Sequence, residues 1–299
     1  MNKPVIRVDF SIGFGNNLFQ FVYAKLLAEK IGADVYILPP TPEYYGLNAL
    51  DLLITEEVST SEITVITNYS RVNEIFSNGL ETITISTEGE AKNILSKPEV
   101  KNYNLKGYFE DYTLYKEDLS KIRSWFIIPP EKDKKNAVLH MRLGDRLFIP
   151  YTYTDGAKLT FEKYKRALDR IDFDTLCIVS DLPFWRHYEK DELLRLKYHT
   201  SLHTNTLEMS KRAAEYVNEL VDKFSASYKI TFSNKNMESD FYRLMCYDKI
   251  IFGYSTFAWW AAVLSDASQV GVYEPWRPWK KESNKNLGQT NYPGWFQWS

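Results

Sequence analysis

Two kinds of apolar pattern alternate along the chain. Short apolar runs bounded by glycine or polar residues predict buried strands, and apolar residues recurring every three or four positions predict helices. Val5–Phe10 is the first strand. It runs into the loop Ser11-Ile-Gly-Phe-Gly-Asn-Asn-Leu-Phe-Gln20, after which Leu18, Phe19, Val22, Leu26 and Ile31 fall at helical spacing. Lys25, Glu29 and Lys30 take the outer side, and Gly32 closes the helix. Asp34–Leu38 is the next strand. Residues 39–48, rich in Pro and Tyr, read as a loop, and from Leu50 the pattern loosens, with strand-like runs at Thr64–Thr67 and Thr82–Ile85. Asn104–Tyr112 reads as a strand ending in aromatic and acidic residues, and Leu119–Phe126 as a helix.

Pro129-Pro130 and the polar run Glu131–Asn136 mark a domain boundary. Beyond it the alternation returns. Ala137–Leu139 ends a buried strand, and a Tyr-rich loop covers Phe148–Gly156. Helices are predicted over Thr160–Ile171, Trp185–Leu196, Leu207–Phe224 and Asn236–Cys246, and strands over Thr175–Asp181, Lys249–Phe252 and Val270–Tyr273. Strands alternating with helices in both halves predict an α/β protein of two lobes with parallel sheets. The lobes span 1–132 and 133–275, and an aromatic tail covers 276–299.

Composition narrows the function. Lys and Arg number 37 against 39 Asp and Glu, a balance that argues against nucleic acid as the main partner. No apolar run approaches the ~20 residues that span a bilayer, and a signal-peptide pattern is lacking, so the sequence reads as cytoplasmic without a transmembrane segment. Cys177 and Cys246 sit in apolar surroundings and read as buried thiols. The four histidines show no convincing metal-ligand spacing; His199 and His203 alone are a weak signal.

Candidate chemistry gathers where strands end: 13–17, 140–146, 180–181 and 253–257. In open α/β sheets, ligands bind outside the carboxyl ends of the strands. Arg142 and Arg146 offer guanidinium forks suited to phosphate. Ser255 and Thr256 stand where a strand gives way to a helix, whose free N–H groups favour an anion, although Ser255 reads equally well as a plain helix cap. Trp259 and Trp260 read as core. Gly13-x-Gly15 lacks the third glycine of a dinucleotide fingerprint, Leu18 standing in its place, and Asp34 begins the next strand instead of ending it, so an NAD-dependent enzyme is disfavoured. Asp145, Glu110, Asp111, Asp181 and a neutral His140 are the candidate bases. The residues alone lead to a two-lobed α/β protein that binds a phosphorylated nucleotide between its lobes.

Taken together, three stretches resemble the α-1,2-fucosyltransferase family (glycosyltransferase family 11), within the fucosyltransferases that share an H-x-R-R-x-D motif. They are Gly13-Phe-Gly-Asn-Asn-Leu-Phe-Gln20, His140-Met-Arg-Leu-Gly-Asp145, and Leu244-Met245 with Ser255-Thr-Phe257 and Trp259-Trp260. Leu105-Lys-Gly-Tyr-Phe109 and Val179-Ser-Asp181 fit two further positions of the pattern. The resemblance implies a GT-B fold, two Rossmann-like lobes facing across a cleft. It implies an inverting, metal-independent transfer of L-fucose from GDP-fucose to a glycan acceptor, α-1,2 to galactose, with no cofactor. It assigns catalysis to His140, Arg142 and Asp145. It assigns the donor site to Gly13, Gly15, Asn16, Arg142, Asp181, Asp240, Ser255, Thr256 and Phe257, with Arg142 on the pyrophosphate and Asp240 toward guanine or ribose. Another GDP-sugar, a different acceptor, or a non-catalytic nucleotide- or glycan-binding protein are the alternatives.

The sequence departs from the motif at Leu143, which holds the second arginine position. Protein O-fucosyltransferases are similar there, with an apolar residue after the first arginine. Arg146 is the candidate to supply the missing charge. Arg146→Ala is then expected to lower turnover, and wild-type steady-state kinetics in that variant would remove Arg146 from the site.

Overall fold

The computed structural model describes residues 2–11, 13–40, 50–60, 63–66, 74, 76–142, 159–180, 206–233, 236–253, 255–273 and 292–298. The chain divides into two compact units, Met1–Ile128 with Asn286–Tyr292 and Pro129–Lys285 with Pro293–Ser299.

The first unit follows the alternation of the sequence. Strand β1 (Val5–Asp9) leads through the glycine loop into α1 (Phe14–Ile31), then β2 (Asp34–Leu38), α2 (Glu56–Thr60), β3 (Ile63–Val65) and β4 (Thr82–Ile85). Helix α3 (Glu88–Ser96) and β5 (Asn102–Leu105) come next, followed by a 3-10 turn at Tyr112–Leu114 and α4 (Leu119–Ser124). All strands are parallel, in the order β3-β2-β1-β5-β4. Leu18, Phe19, Val22 and Leu26 of α1 are buried as their spacing predicts. Lys25 is less exposed than predicted: its side chain pairs with Glu29 at 3.0 Å, and its ammonium lies 4.9 Å from the centre of the Trp125 ring.

Two expectations are corrected here. The strand read over Asn104–Tyr112 starts at Asn102 and ends at Leu105, because Phe109 adopts a left-handed φ of 56° that an extended ladder cannot contain. Residues 88–96, read as irregular, are a helix closed by a capping box: the Thr87 side chain accepts from Glu90 N–H, and Glu90 accepts from Thr87 N–H.

The order of the first sheet reverses at β1, with β2 and β3 to one side and β5 and β4 to the other. Such a reversal opens a crevice at the carboxyl ends of the two diverging strands. Gln20 fills it. Its Nε2 donates to Asp9 O at 3.0 Å, just beyond Val8 of β1, and to Gly107 O at 3.1 Å beyond β5. Its Oε1 accepts from Ser11 N at 3.1 Å.

The second unit contains β6 (Ala137–Met141), α5 (Phe161–Leu168), β7 (Leu176–Ser180), α6 (Thr206–Ser227) and β8 (Ile230–Ser233). Then come α7 (Met237–Met245), β9 (Lys249–Phe252), α8 (Thr256–Ser265), β10 (Gln269–Tyr273) and β11 (Phe296–Trp298). Its six strands are parallel in the order β11-β10-β9-β6-β7-β8. Neither β8 nor β11 is expected from the sequence pattern: both are short and carry Ser, Gln or Thr between their apolar residues. The predicted helix at 185–196 and the loops at 148–156 and 41–48 lie outside the described residues.

The boundary stretch is tied to this second sheet at the amino ends of its strands. Asp133 N donates to Cys246 O at 2.7 Å, Asp248 N to Asp133 O at 3.0 Å, and Lys132 pairs with Asp248 at 3.0 Å. Burial acts to raise the Asp248 carboxyl, but hydrogen bonds from Ser268 and Lys132 outweigh it and hold the group below its ordinary value. Cys177 and Cys246 are both free thiols, the first buried and the second partly covered. Among the described residues no helix is long and apolar enough to cross a membrane.

The Gln20 bridge yields a stability prediction. Replacing Gln20 by Leu keeps the apolar stem and strands two carbonyls and an N–H, each buried polar group without a partner costing about 1–3 kcal/mol. Urea denaturation of Gln20→Leu is expected to show a loss of at least ~2 kcal/mol; an unchanged midpoint would show that water replaces the amide at no cost.

Candidate functional site

In the second unit the strand order also reverses, between β6 and β9. The ladder pairs Val138 with Ile250, Leu139 with Ile251 and His140 with Phe252. Chain segments more than a hundred positions apart therefore end side by side, and the polar stretch after each strand leaves from the same edge. His140 and Met141 end one strand and Arg142 follows it, while Gly253 and Ser255 to Phe257 follow the other. With strands running 3-2-1-4-5-6 from β8 to β11, this is the arrangement in which doubly wound sheets bind nucleotides at the reversal point.

His140 is buried, 5% exposed, near the end of β6. Its ring lies 5.6 Å from that of Phe257, which in turn meets Phe241 edge-on at 5.1 Å. This row links β6, α8 and α7. Among the described residues His140 Nδ1 has no hydrogen-bond partner. Burial, reinforced by the nearby Arg142 guanidinium, lowers the His140 pKa to about 3. The imidazole is therefore neutral at physiological pH, as a base must be, yet a group with so low a proton affinity accepts protons weakly. Its geometry suits a packed neutral ring beside the cation of Arg142, which is half-exposed just past the strand end.

Ser255 is the N-cap of α8: its Oγ accepts from Ala258 N–H at 3.1 Å, and it is 1% exposed. The cap reading of the sequence thus holds. It leaves the hydroxyl proton of Ser255 to be donated elsewhere, and the remaining first-turn amides of a ten-residue helix face the same end. Thr256 is buried and Phe257 partly exposed. Behind them Trp259 and Trp260 are fully buried, edge-to-face at 5.0 Å, and fix the helix in the core as predicted. Asp240, in the first turn of α7, is buried, and its carboxylate accepts from the Ser233 hydroxyl at 2.9 Å.

The other predicted residues separate into groups. Gly13 caps α1 with φ 116°, a conformation that side chains rarely adopt. Its carbonyl accepts from Asn16 N at 3.1 Å; Gly15 is buried and Asn16 half-exposed. All three belong to the first unit. Asp111 caps the 3-10 turn through Thr113 N at 2.9 Å, a structural task, and Glu110 is buried. Asp145, Asp181, Leu143 and Arg146 lie outside the described residues. In the sequence Gln20 is one position of the glycine-loop motif, and its place between Phe19 and Phe21 is the sign of a buried polar bridge. Among the described residues no group of three or more His, Cys, Asp or Glu could hold a metal ion.

No family model matches the sequence, and no curated protein matches it. Solved structures do share its fold. NodZ alpha-1,6-fucosyltransferase, in a crystal soaked with GDP-fucose, is 12% identical over 88% of this chain and 92% of its own, with a TM-score of 0.51. Fucosyltransferase NodZ from Bradyrhizobium is also 12% identical, over 88% of this chain and 94% of its own, with a TM-score of 0.52. At that identity the likeness is one of fold. The fold is GT-B, the two Rossmann-like lobes of a large class of glycosyltransferases.

The buried imidazole makes acid sensitivity testable. The unfolded chain protonates His140 below about 6.5, while the folded chain resists until about 3. Its stabilising contribution is complete above pH 6.5 and falls between 6.5 and 3, by at most ~1.4 kcal/mol per pH unit. His140→Phe is expected to flatten the dependence of urea midpoint on pH in that window; parallel curves for variant and wild type would show that another group dominates.

Proposed function

We propose that this chain is an inverting glycosyltransferase that moves L-fucose from GDP-fucose to a sugar hydroxyl, forming an α-1,2 link to galactose. The observation that carries the reading is the meeting of His140–Arg142 with Ser255–Phe257 where the second sheet reverses. The same residues carry the sequence resemblance to fucosyltransferases, and two NodZ structures share the fold.

On this reading the diphosphate of the donor lies at the start of α8. It is met by first-turn amides, the Ser255 hydroxyl and the Arg142 guanidinium. The acceptor oxygen attacks the anomeric carbon, the bond to the diphosphate oxygen breaks, and GDP leaves with the electron pair. Arg142 stabilises the charge that grows on that oxygen, so its effect is greatest at the transition state. Asp145 is the proposed base that takes the proton from the acceptor hydroxyl. Asp240, held by Ser233, and the Gly13, Gly15 and Asn16 loop are proposed to complete donor recognition together with Thr256, Phe257 and Asp181. The transfer is proposed to need no metal.

The test is GDP release with a chelator present, offering GDP-fucose, GDP-mannose or UDP-galactose beside galactose-terminated acceptors. Turnover of GDP-fucose alone is expected, with the linkage read from the product by NMR. Arg142→Ala is expected to lower kcat roughly 100-fold or more. Turnover only with another donor would replace the named sugar, a 1,6-linked product would replace the linkage, and a requirement for added metal would overturn metal independence. GDP binding without turnover would favour a nucleotide-binding protein.

A further inference from the structure

The first unit carries a strained turn that the donor site does not explain. Phe109 is fully buried yet sits at φ 56°, a left-handed conformation that is strained for a bulky residue and persists only when its surroundings impose it. They do so from several sides. The Phe109 ring stacks on Tyr23 at 4.4 Å with an 18° tilt. Its carbonyl accepts from the Tyr115 hydroxyl, a phenol that burial keeps protonated. Gly107 lies so close that a Cβ there would stand 2.8 Å from the Phe109 ring and 3.0 Å from Ser86 O. The Gly107 carbonyl is bound by Gln20.

The outcome of this construction is the position of the residue between them. Tyr108 is 49% exposed, although its neighbours are locked in place. It follows β5 at the carboxyl edge of the first sheet, next to β1 where the strand order reverses. Two residues before it, Lys106 pairs with Asp9, whose other partner is Arg7 at 2.8 Å. An exposed aromatic side chain on a fixed backbone, two residues from a charged hydrogen-bonding group, suits a pyranose. The C–H face of the sugar packs on the ring while its hydroxyls bond the polar rim. A tyrosine on a backbone already fixed at both neighbours orders only its own side chain on making such a contact.

We infer that Tyr108 is a stacking platform for a sugar ring of the acceptor glycan. The inference rests on the transferase reading for the identity of that glycan, and on the turn for its location. It accounts for the strain: the left-handed turn at Phe109 anchors the core and leaves its neighbour outside.

The experiment measures binding and turnover separately. A galactose-terminated oligosaccharide is titrated by saturation-transfer NMR against wild type, Tyr108→Ala and Tyr108→Phe, with GDP binding followed in parallel. Because Tyr108 is exposed, all three are expected to unfold at the same urea concentration. Tyr108→Ala is expected to weaken oligosaccharide binding, and to raise its KM, about tenfold, with GDP affinity within twofold of wild type. Tyr108→Phe, which keeps the ring, is expected to behave as wild type. Unchanged oligosaccharide affinity in Tyr108→Ala, equal losses for oligosaccharide and GDP, or no binding of the oligosaccharide to wild type would each overturn the inference. Ring-dependent binding without turnover of any donor would uphold the platform and overturn the transferase reading instead.

Discussion

The second lobe depends on a short ladder of backbone hydrogen bonds between β6 and β9. Only Val138 to His140 and Ile250 to Phe252 are paired there. These pairs join two halves of a sheet that are built in sequence order in opposite directions. Once they form, the polar residues that follow each strand have nowhere to go but the same edge. The helix that must follow β9 then begins at that edge, with Ser255 as its cap and the Trp259–Trp260 pair seated in the core behind it. Each later feature, the neutral imidazole packed on Phe257 included, is a consequence of that adjacency.

The first lobe also reverses its strand order, here as β3-β2-β1-β5-β4 with its last strand beside β1, and it treats the crevice differently. Where β1 and β5 diverge, a glutamine reaches across with its amide and satisfies three backbone groups. A carboxylate could not have donated, and an ammonium could not have accepted, so only a carboxamide of this length completes the bridge. The crevice closed by Gln20 has Asp9 and Ser11 on one side and the turn of Gly107 to Phe109 on the other. The end of β1, the start of the loop after it and the turn at Gly107 are thereby tied to one side chain.

Much of this was legible in the sequence, because buried parallel strands and the helices between them have distinct apolar periods. Val5–Asp9, Asp34–Leu38, Leu176–Ser180 and Lys249–Phe252 stand close to where those periods place them. The failures have physical causes. Helix α3 is short and polar, and its signal was the capping pair Thr87 and Glu90, not an apolar face. Strand β11 holds its place through packing: Arg170 donates to Gln297 O at 2.6 Å and lies over the Phe296 ring at 4.2 Å. No local pattern encodes contacts with a residue so distant. For the candidate site, the residue types at 140, 142 and 255 could be read directly. Their adjacency could not, since it follows from strand order, and neither could the depth of burial that strips His140 of its proton.

The run from Lys106 to Phe109 also divides labour between folding and recognition. Lys106 is tied to Asp9, Gly107 is required by steric closeness, and Phe109 is part of the core. Drift at any of the three is penalised by lost stability. Tyr108 carries no such burden, so its side chain can be exchanged in a single step while the turn that presents it persists. A lineage carrying this turn has a fixed pedestal with an interchangeable head, and new surface preferences can be sampled there without passing through unfolded intermediates.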